Sequence, residues 1–229
     1  MKKSSAKFFG KSLLALALGI IAVAGLAVAG LLSYYGKITG TARVSQSVLV
    51  DGKSVPDSMT SLQYSISDVK GGETFTTDEH TITDQSSANA PITLTTEITE
   101  ASCPQNAECT TDTAIEFTYY TFYEVIGTGD GSTKTFTFKP MMSNPTNVKA
   151  TDGSNTVDCS GPDSNGYYSC TFDTAPSNSA QITGSYNVNG NTASGTVTGE
   201  KTIKFTFSAK TKVNAIPGGY SLTTTIATS

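Results

Sequence analysis

The stretch Thr202-Ile203-Lys204-Phe205-Thr206-Phe207-Ser208-Ala209-Lys210-Thr211-Lys212 decides the fold class. Ile203, Phe205, Phe207 and Ala209 alternate with Thr202, Lys204, Thr206, Ser208 and Lys210. Successive strand side chains point to opposite faces, so this pattern is a half-buried β-strand, with no helical stripe. Outward from it, Ser61–Val69 repeats the pattern with Leu62, Tyr64 and Ile66 on one side. A C-terminal run places Tyr220, Leu222, Thr224 and Ile226 together after the turn Pro217-Gly218-Gly219. Further strands are expected over Phe75–Thr83, Pro91–Thr99, Ile115–Ile126, Thr133–Lys139, Tyr167–Phe172 and Gln181–Val188. Gly71-Gly72, Gly127–Gly131, Asp152-Gly153 and Asn189-Gly190 supply the turns between them. Strands this numerous, each with one polar face, predict an all-β chain: a two-sheet antiparallel β-sandwich.

Composition agrees. The 229 residues include 37 Thr, 27 Ser and no Trp, and helical periodicity stops at Leu32. The formal charge is −4, but Lys2, Lys3, Lys7 and Lys11 stand in a basic head. Without them 11 cations face 19 anions, a balance of −8. An acidic chain with no Lys/Arg cluster is a poor partner for nucleic acid or an anionic membrane surface. A single His excludes a zinc site that needs several imidazoles.

The basic head is followed by an apolar run from Leu13 to Leu32, and Ala27-Val28-Ala29 offers the small residues of a signal-peptidase site. The expectation is a signal peptide over 1–29, cut between Ala29 and Gly30, with membrane contact only before cleavage and a secreted, cell-surface product. Two alternatives are a retained membrane helix within Ser12–Tyr35 and a type IV prepilin cut at Gly10. The first acid of the chain is Asp51, so the acidic residue expected near a prepilin terminus is missing.

Export fits the cysteines. Cys103, Cys109, Cys159 and Cys170 allow three connectivities, and the spacings favour Cys103–Cys109 and Cys159–Cys170. Each closes a short turn-rich loop and adds on the order of 2–3 kcal/mol in the chain-entropy model. Neither pair has the separation usual for a thiolate zinc site.

Residues 30–44 form a strand with no hairpin partner beside it. Leu32, Tyr34, Gly36, Ile38, Gly40, Ala42 and Val44 make one apolar or glycine face; Ser33, Tyr35, Lys37, Thr39, Thr41 and Arg43 make the other. Such a segment either begins its own sandwich or pairs into another copy of the chain. The remaining residues, 45–229, are expected to form the sandwich domain, with both cysteine pairs in region 101–200, which the resemblance given next implies is an insertion.

Three stretches carry a resemblance. Ser45-Gln46-Ser47-Val48-Leu49-Val50-Asp51-Gly52 is one. Gly71-Gly72-Glu73-Thr74-Phe75, followed by Thr81–Ala88 and a Pro91-led strand, is the second, and Ile216-Pro217-Gly218-Gly219-Tyr220-Ser221-Leu222-Thr223 the third. Together they resemble the camelysin/TasA-like family, and within it the archaeal bundling-pilus subunits. The likeness covers roughly residues 12–100 and 200–229. It implies a jelly-roll pilin that polymerises by donor-strand complementation into an extracellular biofilm filament. The partner would be a homopolymer of the same chain, and the filaments could bundle.

Camelysins have been classed as metalloproteases, yet the residues give no catalytic arrangement. There is no His-Glu-x-x-His, and His80 has no second imidazole. No nucleophile elbow accompanies the hydroxyls. Glu97, Glu100, Glu116 and Glu124 read as solvated strand edges, and Asp158–Asp163 lacks calcium-loop spacing. The expectation is a non-enzyme without metal or cofactor. A monomeric secreted adhesin or surface-layer binding module is the alternative, using Tyr119, Tyr120, Tyr123, Tyr167 and Tyr168 as exposed contacts.

Overall fold

The computed structural model describes residues 48–55, 59–86, 88–102, 115–213, 215 and 218–228, all within one unit spanning Gln46–Ser229. Every regular element among them is a strand. In chain order these are β1 (Val48–Val50), β2 (Lys53–Ser54), β3 (Met59–Val69), β4 (Thr74–Thr76) and β5 (His80–Asp84). Next come β6 (Ala90–Ser102), β7 (Ile115–Thr128), β8 (Thr135–Phe138), β9 (Thr146–Thr151) and β10 (Thr156–Ser160). The last five are β11 (Tyr168–Thr171), β12 (Gln181–Asn189), β13 (Thr192–Val197), β14 (Thr202–Thr211) and β15 (Gly218–Thr228).

They form two antiparallel sheets, so the expected fold class is what is observed. The large sheet has eleven strands, ordered β2-β1-β5-β14-β7-β12-β9-β10-β11-β8 with β4 beside β14. The small sheet has four, ordered β13-β6-β15-β3. The opening stretch is β14, a central strand between β5 and β7. Its alternation is the inner face: Ile203, Phe205, Phe207 and Ala209 are fully buried. Register carries that face across the sheet, since Phe205 pairs with Phe122 and Phe122 with Tyr186. Ile92 and Leu94 on β6, with Tyr220, Leu222 and Ile226 on β15, cover it from the small sheet. Phe75 stacks on Tyr220, with ring centroids 5.5 Å apart, as one contact between the sheets.

A polar knot lies inside this core. The Tyr120 hydroxyl lies 2.6 Å from Thr96 Oγ1, and Thr96 Oγ1 lies 2.6 Å from Thr224 Oγ1. Tyr120 also donates to the Asn191 carbonyl at 3.3 Å. Three buried hydroxyls therefore satisfy one another, which burial requires of them. Tyr120 is fully buried, which corrects its reading as an exposed contact.

At its other end the large sheet curls onto its own inner face. Phe138 of β8 reaches Gly184 of β12, where an added Cβ would stand 2.7 Å from the ring. Phe136 and Phe172 pack edge to face beneath the curl, and Cys159–Cys170 clamps β10 to β11 as expected. Residues 101–200 thus supply β7 to β13, including the central strand β7, to the same two sheets.

Two expectations change in detail. The strand expected over Phe75–Thr83 is two, β4 and β5, because the Thr77 side chain replaces a ladder acceptor: Phe207 N–H donates to Thr77 Oγ1 at 3.0 Å. Strands β2, β9, β10 and β13 were not anticipated. They are short, and in β13 the inner positions are only Ala193, Gly195 and Val197. The Asn189-Gly190 turn, with Gly190 at φ +97°, carries the chain from the large sheet to the small one.

Candidate functional site: two edges and a cleft

The small sheet ends differently on its two sides. On the β13 side, residues 141–143 lie along the edge: Met142 bridges Gly195, Thr196 N–H donates to the Met141 carbonyl at 3.0 Å, and Ser143 N–H donates to the Ser194 carbonyl at 2.8 Å. Only glycine admits this approach, since a Cβ on Gly195 would meet the Met141 oxygen at 2.2 Å. From behind, the Glu124 carboxylate accepts the Met141 N–H at 2.9 Å and the Tyr186 hydroxyl, and that hydroxyl accepts the Met142 N–H at 3.1 Å. Glu124 is 4% exposed, which corrects its reading as a solvated edge residue. Burial pushes its carboxyl pKa up, with Tyr186, the Met141 N–H and Lys201 acting against that rise.

On the opposite side the sheet stops at β3. Among the described residues no strand pairs with the outer side of these eleven residues. Leu62, Tyr64 and Ile66 point inward but are only half-buried. Tyr64 meets His80 of β5, ring centroids 5.5 Å apart, so β3 lies over β5. Beyond β5 the large sheet continues through β1 and β2, with Val48 and Val50 on the inner face. The large sheet is therefore two strands longer here than the sheet that covers it.

His80 anchors this corner. Its Nδ1 stands 2.6 Å from Asp51 Oδ2, while Asp51 Oδ1 accepts the Thr81 N–H at 2.8 Å. Although burial opposes it, these bonds and the imidazole hold the Asp51 carboxyl below the usual range. The His80 side chain is 15% exposed, packed against Tyr64 and Phe205 rather than standing free at the strand end. Among the described residues two buried polar atoms here, Tyr64 Oη and His80 Nε2, have no well-formed hydrogen bond, although the Thr77 side chain acts on the Tyr64 hydroxyl.

A third feature, a cleft of about 750 Å³, opens between the curl and the β13 edge, lined by residues that include Tyr167, Tyr168, Lys139, Lys201, Thr196 and Thr198.

The expected donor residues Leu32, Tyr34, Gly36, Ile38, Gly40, Ala42 and Val44, the cleavage pair Ala29–Gly30, and Cys103 and Cys109 all lie outside the described residues. Glu97 and Glu116 are exposed, with Glu116 paired to Lys210 at 3.0 Å. Asp163 caps its own loop, accepting the N–H groups of Asn165 and Tyr167 at 2.8 and 2.9 Å. Among the described residues no three His, Cys, Asp or Glu side chains gather as a metal-binding group. Comparison with protein-family models and with curated proteins finds no match to this chain.

Proposed function

We propose that this chain is the structural subunit of an extracellular filament, exported, cut near Gly30, and polymerised when residues 30–44 of one copy pair with β3 of the next. The observation that supports this reading is the contrast at the small sheet: one edge is covered, while among the described residues no strand pairs with the other, β3, beyond which the large sheet extends by two strands. An open strand edge presents unpaired backbone donors and acceptors and is a template for another strand. The resemblance of the sequence to camelysin/TasA-like subunits points the same way.

The energetics suffice. Leu32, Tyr34, Ile38 and Val44 would enter beside the half-buried face of β3, and large aliphatic side chains contribute roughly 1.5–3 kcal/mol each on burial. Together they supply on the order of 5–10 kcal/mol gross, from which ordering the strand subtracts. A head-to-tail contact of this kind does not close on itself, so it yields a fibre.

Electron microscopy of secreted protein tests the proposal. Ile38→Asp and Ala42→Arg abolish filaments, whereas Thr39→Asp and Thr41→Arg, on the opposite face, leave them intact. Normal filaments from protein lacking residues 30–44 would sink the mechanism. A uniformly monomeric secreted product would favour the adhesin reading instead, for which the cleft beside β13 is the supporting observation.

A further inference from the structure

The cleft between the curl and the β13 edge has no part in strand exchange, yet it is built from chemistry that a filament surface does not require. On one side stands the loop closed by Cys159–Cys170. Its Tyr167 is fixed through the backbone: the Tyr167 N–H donates to Asp163 Oδ1 at 2.9 Å, and the Tyr167 carbonyl accepts the Asp163 N–H at 2.9 Å. The Tyr167 residue is nonetheless 47% exposed, so a large amphipathic ring is presented on a preorganised loop. Tyr168 of β11 lines the same cleft. The strand side contributes Thr196 and Thr198.

Two lysines, Lys139 and Lys201, line this space in a chain whose acids outnumber its bases. Lys139 lies along the disulfide loop, its Cε 3.3 Å from where a Cβ on Gly166 would stand. Lys201 comes from the other side. Among the described residues neither forms a direct ion pair, although Lys139 acts on Asp163 and Lys201 on Glu124 through space, whereas Lys149, Lys204 and Lys210 each hold an acid within 3.3 Å. Glu124, the acid in the cleft wall, has its Oε1 engaged by Tyr186 and the Met141 N–H.

The volume falls in the range of small-ligand sites. The lining sorts the ligand classes. An extended peptide would want a strand edge, but the β13 backbone here is already bonded to Met141 and Ser143. A polyhydroxylated ring with an acidic group matches the rest: its C–H face stacks on a tyrosine, its hydroxyls meet threonine hydroxyls, and its carboxylate meets an ammonium. We propose that this cleft binds an anionic carbohydrate, a chain of uronate sugars lying across Tyr167 between Lys139 and Lys201. The site is independent of polymerisation and belongs to a single copy.

Titration calorimetry on the secreted full-length protein, with trigalacturonate as the probe, tests this. Binding is expected, weakening as salt rises because the carboxylates are read by exposed ammonium groups. Tyr167→Ala and the Lys139→Ala/Lys201→Ala pair each weaken it by roughly tenfold or more, a loss of about 1.4 kcal/mol. Lys149→Ala, an exposed lysine outside the cleft, leaves it unchanged. A neutral trisaccharide and hexaglutamate serve as competitors, and both are expected to fail. The proposal is overturned by no binding at millimolar trigalacturonate, by equal binding of hexaglutamate, or by cleft variants that bind like the parent.

Discussion

The two edges of the small sheet are made of similar material and reach opposite ends. Strand β13 carries Thr192, Ala193, Ser194, Gly195 and Thr196; β3 carries Thr60, Ser61, Leu62, Gln63 and Tyr64. Neither has a charged outward row of the kind that usually blunts an edge. At β13 the covering is internal: three residues from the β8–β9 connection are held by a buried carboxylate and a buried phenol. At β3 the described residues supply no equivalent. The difference teaches that an edge can be closed from within its own subunit only where a loop is close enough and a glycine lets it in. Among the described residues β3 has neither.

The covered edge can be broken, and the largest effect is expected there. Gly195→Val places side-chain carbon where the Met141 oxygen stands 2.2 Å from an added Cβ, so the 141–143 segment must leave. The cost is about 2–3 kcal/mol, in the upper range for overpacking. Two open edges should also make the protein self-associate without order. Urea denaturation and light scattering measure both; a variant as stable and soluble as the parent would show that the covering is incidental.

Next in size is the support behind that covering. Glu124→Ala leaves the Met141 N–H and the Tyr186 hydroxyl without their acceptor and costs about 2 kcal/mol. Glu124→Gln keeps an acceptor and removes a charge from a buried site, so it is close to neutral. The two variants separate by pH. Burial raises the folded-state pKa of Glu124 above its unfolded value, so its contribution is complete below the unfolded pKa and is lost as pH rises through the folded one. The parent should therefore lose stability over that rise while Glu124→Gln does not. Parallel curves for the two would assign the pH dependence elsewhere.

Period-2 alternation made the central elements legible. Ile203-Lys204-Phe205-Thr206-Phe207 announces its buried face because large apolar side chains occupy alternate positions. Cys159–Cys170 was legible from its turn-rich loop. Glu124 was not, because a carboxylate on a strand reads as solvated unless its partners are known, and Tyr186 and Met141 lie 62 and 17 residues away. Tyr120 misread for the same reason: its partners, Thr96 and Asn191, are distant in sequence. The curl was hidden too, since nothing local marks Gly184 as the seat of Phe138. His80 carried a local signal in Asp78-Glu79-His80, but its partner is Asp51, 29 residues earlier.

The smallest effect falls on the open edge and is the most discriminating. Tyr64 Oη is buried, and burial raises the Tyr64 pKa far above the ordinary phenol range, so the group stays a neutral hydroxyl. Tyr64→Phe removes that oxygen while keeping the ring against His80. In a single copy little is lost, because the hydroxyl has no well-formed bond among the described residues and its burial carries a desolvation cost. The variant should match the parent or exceed it by up to about 1 kcal/mol. In a filament the arithmetic reverses, provided that the incoming strand meets this hydroxyl, since removing it then forfeits a bond worth about 1 kcal/mol per contact. Monomer stability measured by denaturation, set against filament dissociation measured by dilution, separates the two. A Tyr64→Phe subunit that is firmer alone and looser assembled locates the interface at β3; a change of the same sign in both places it elsewhere.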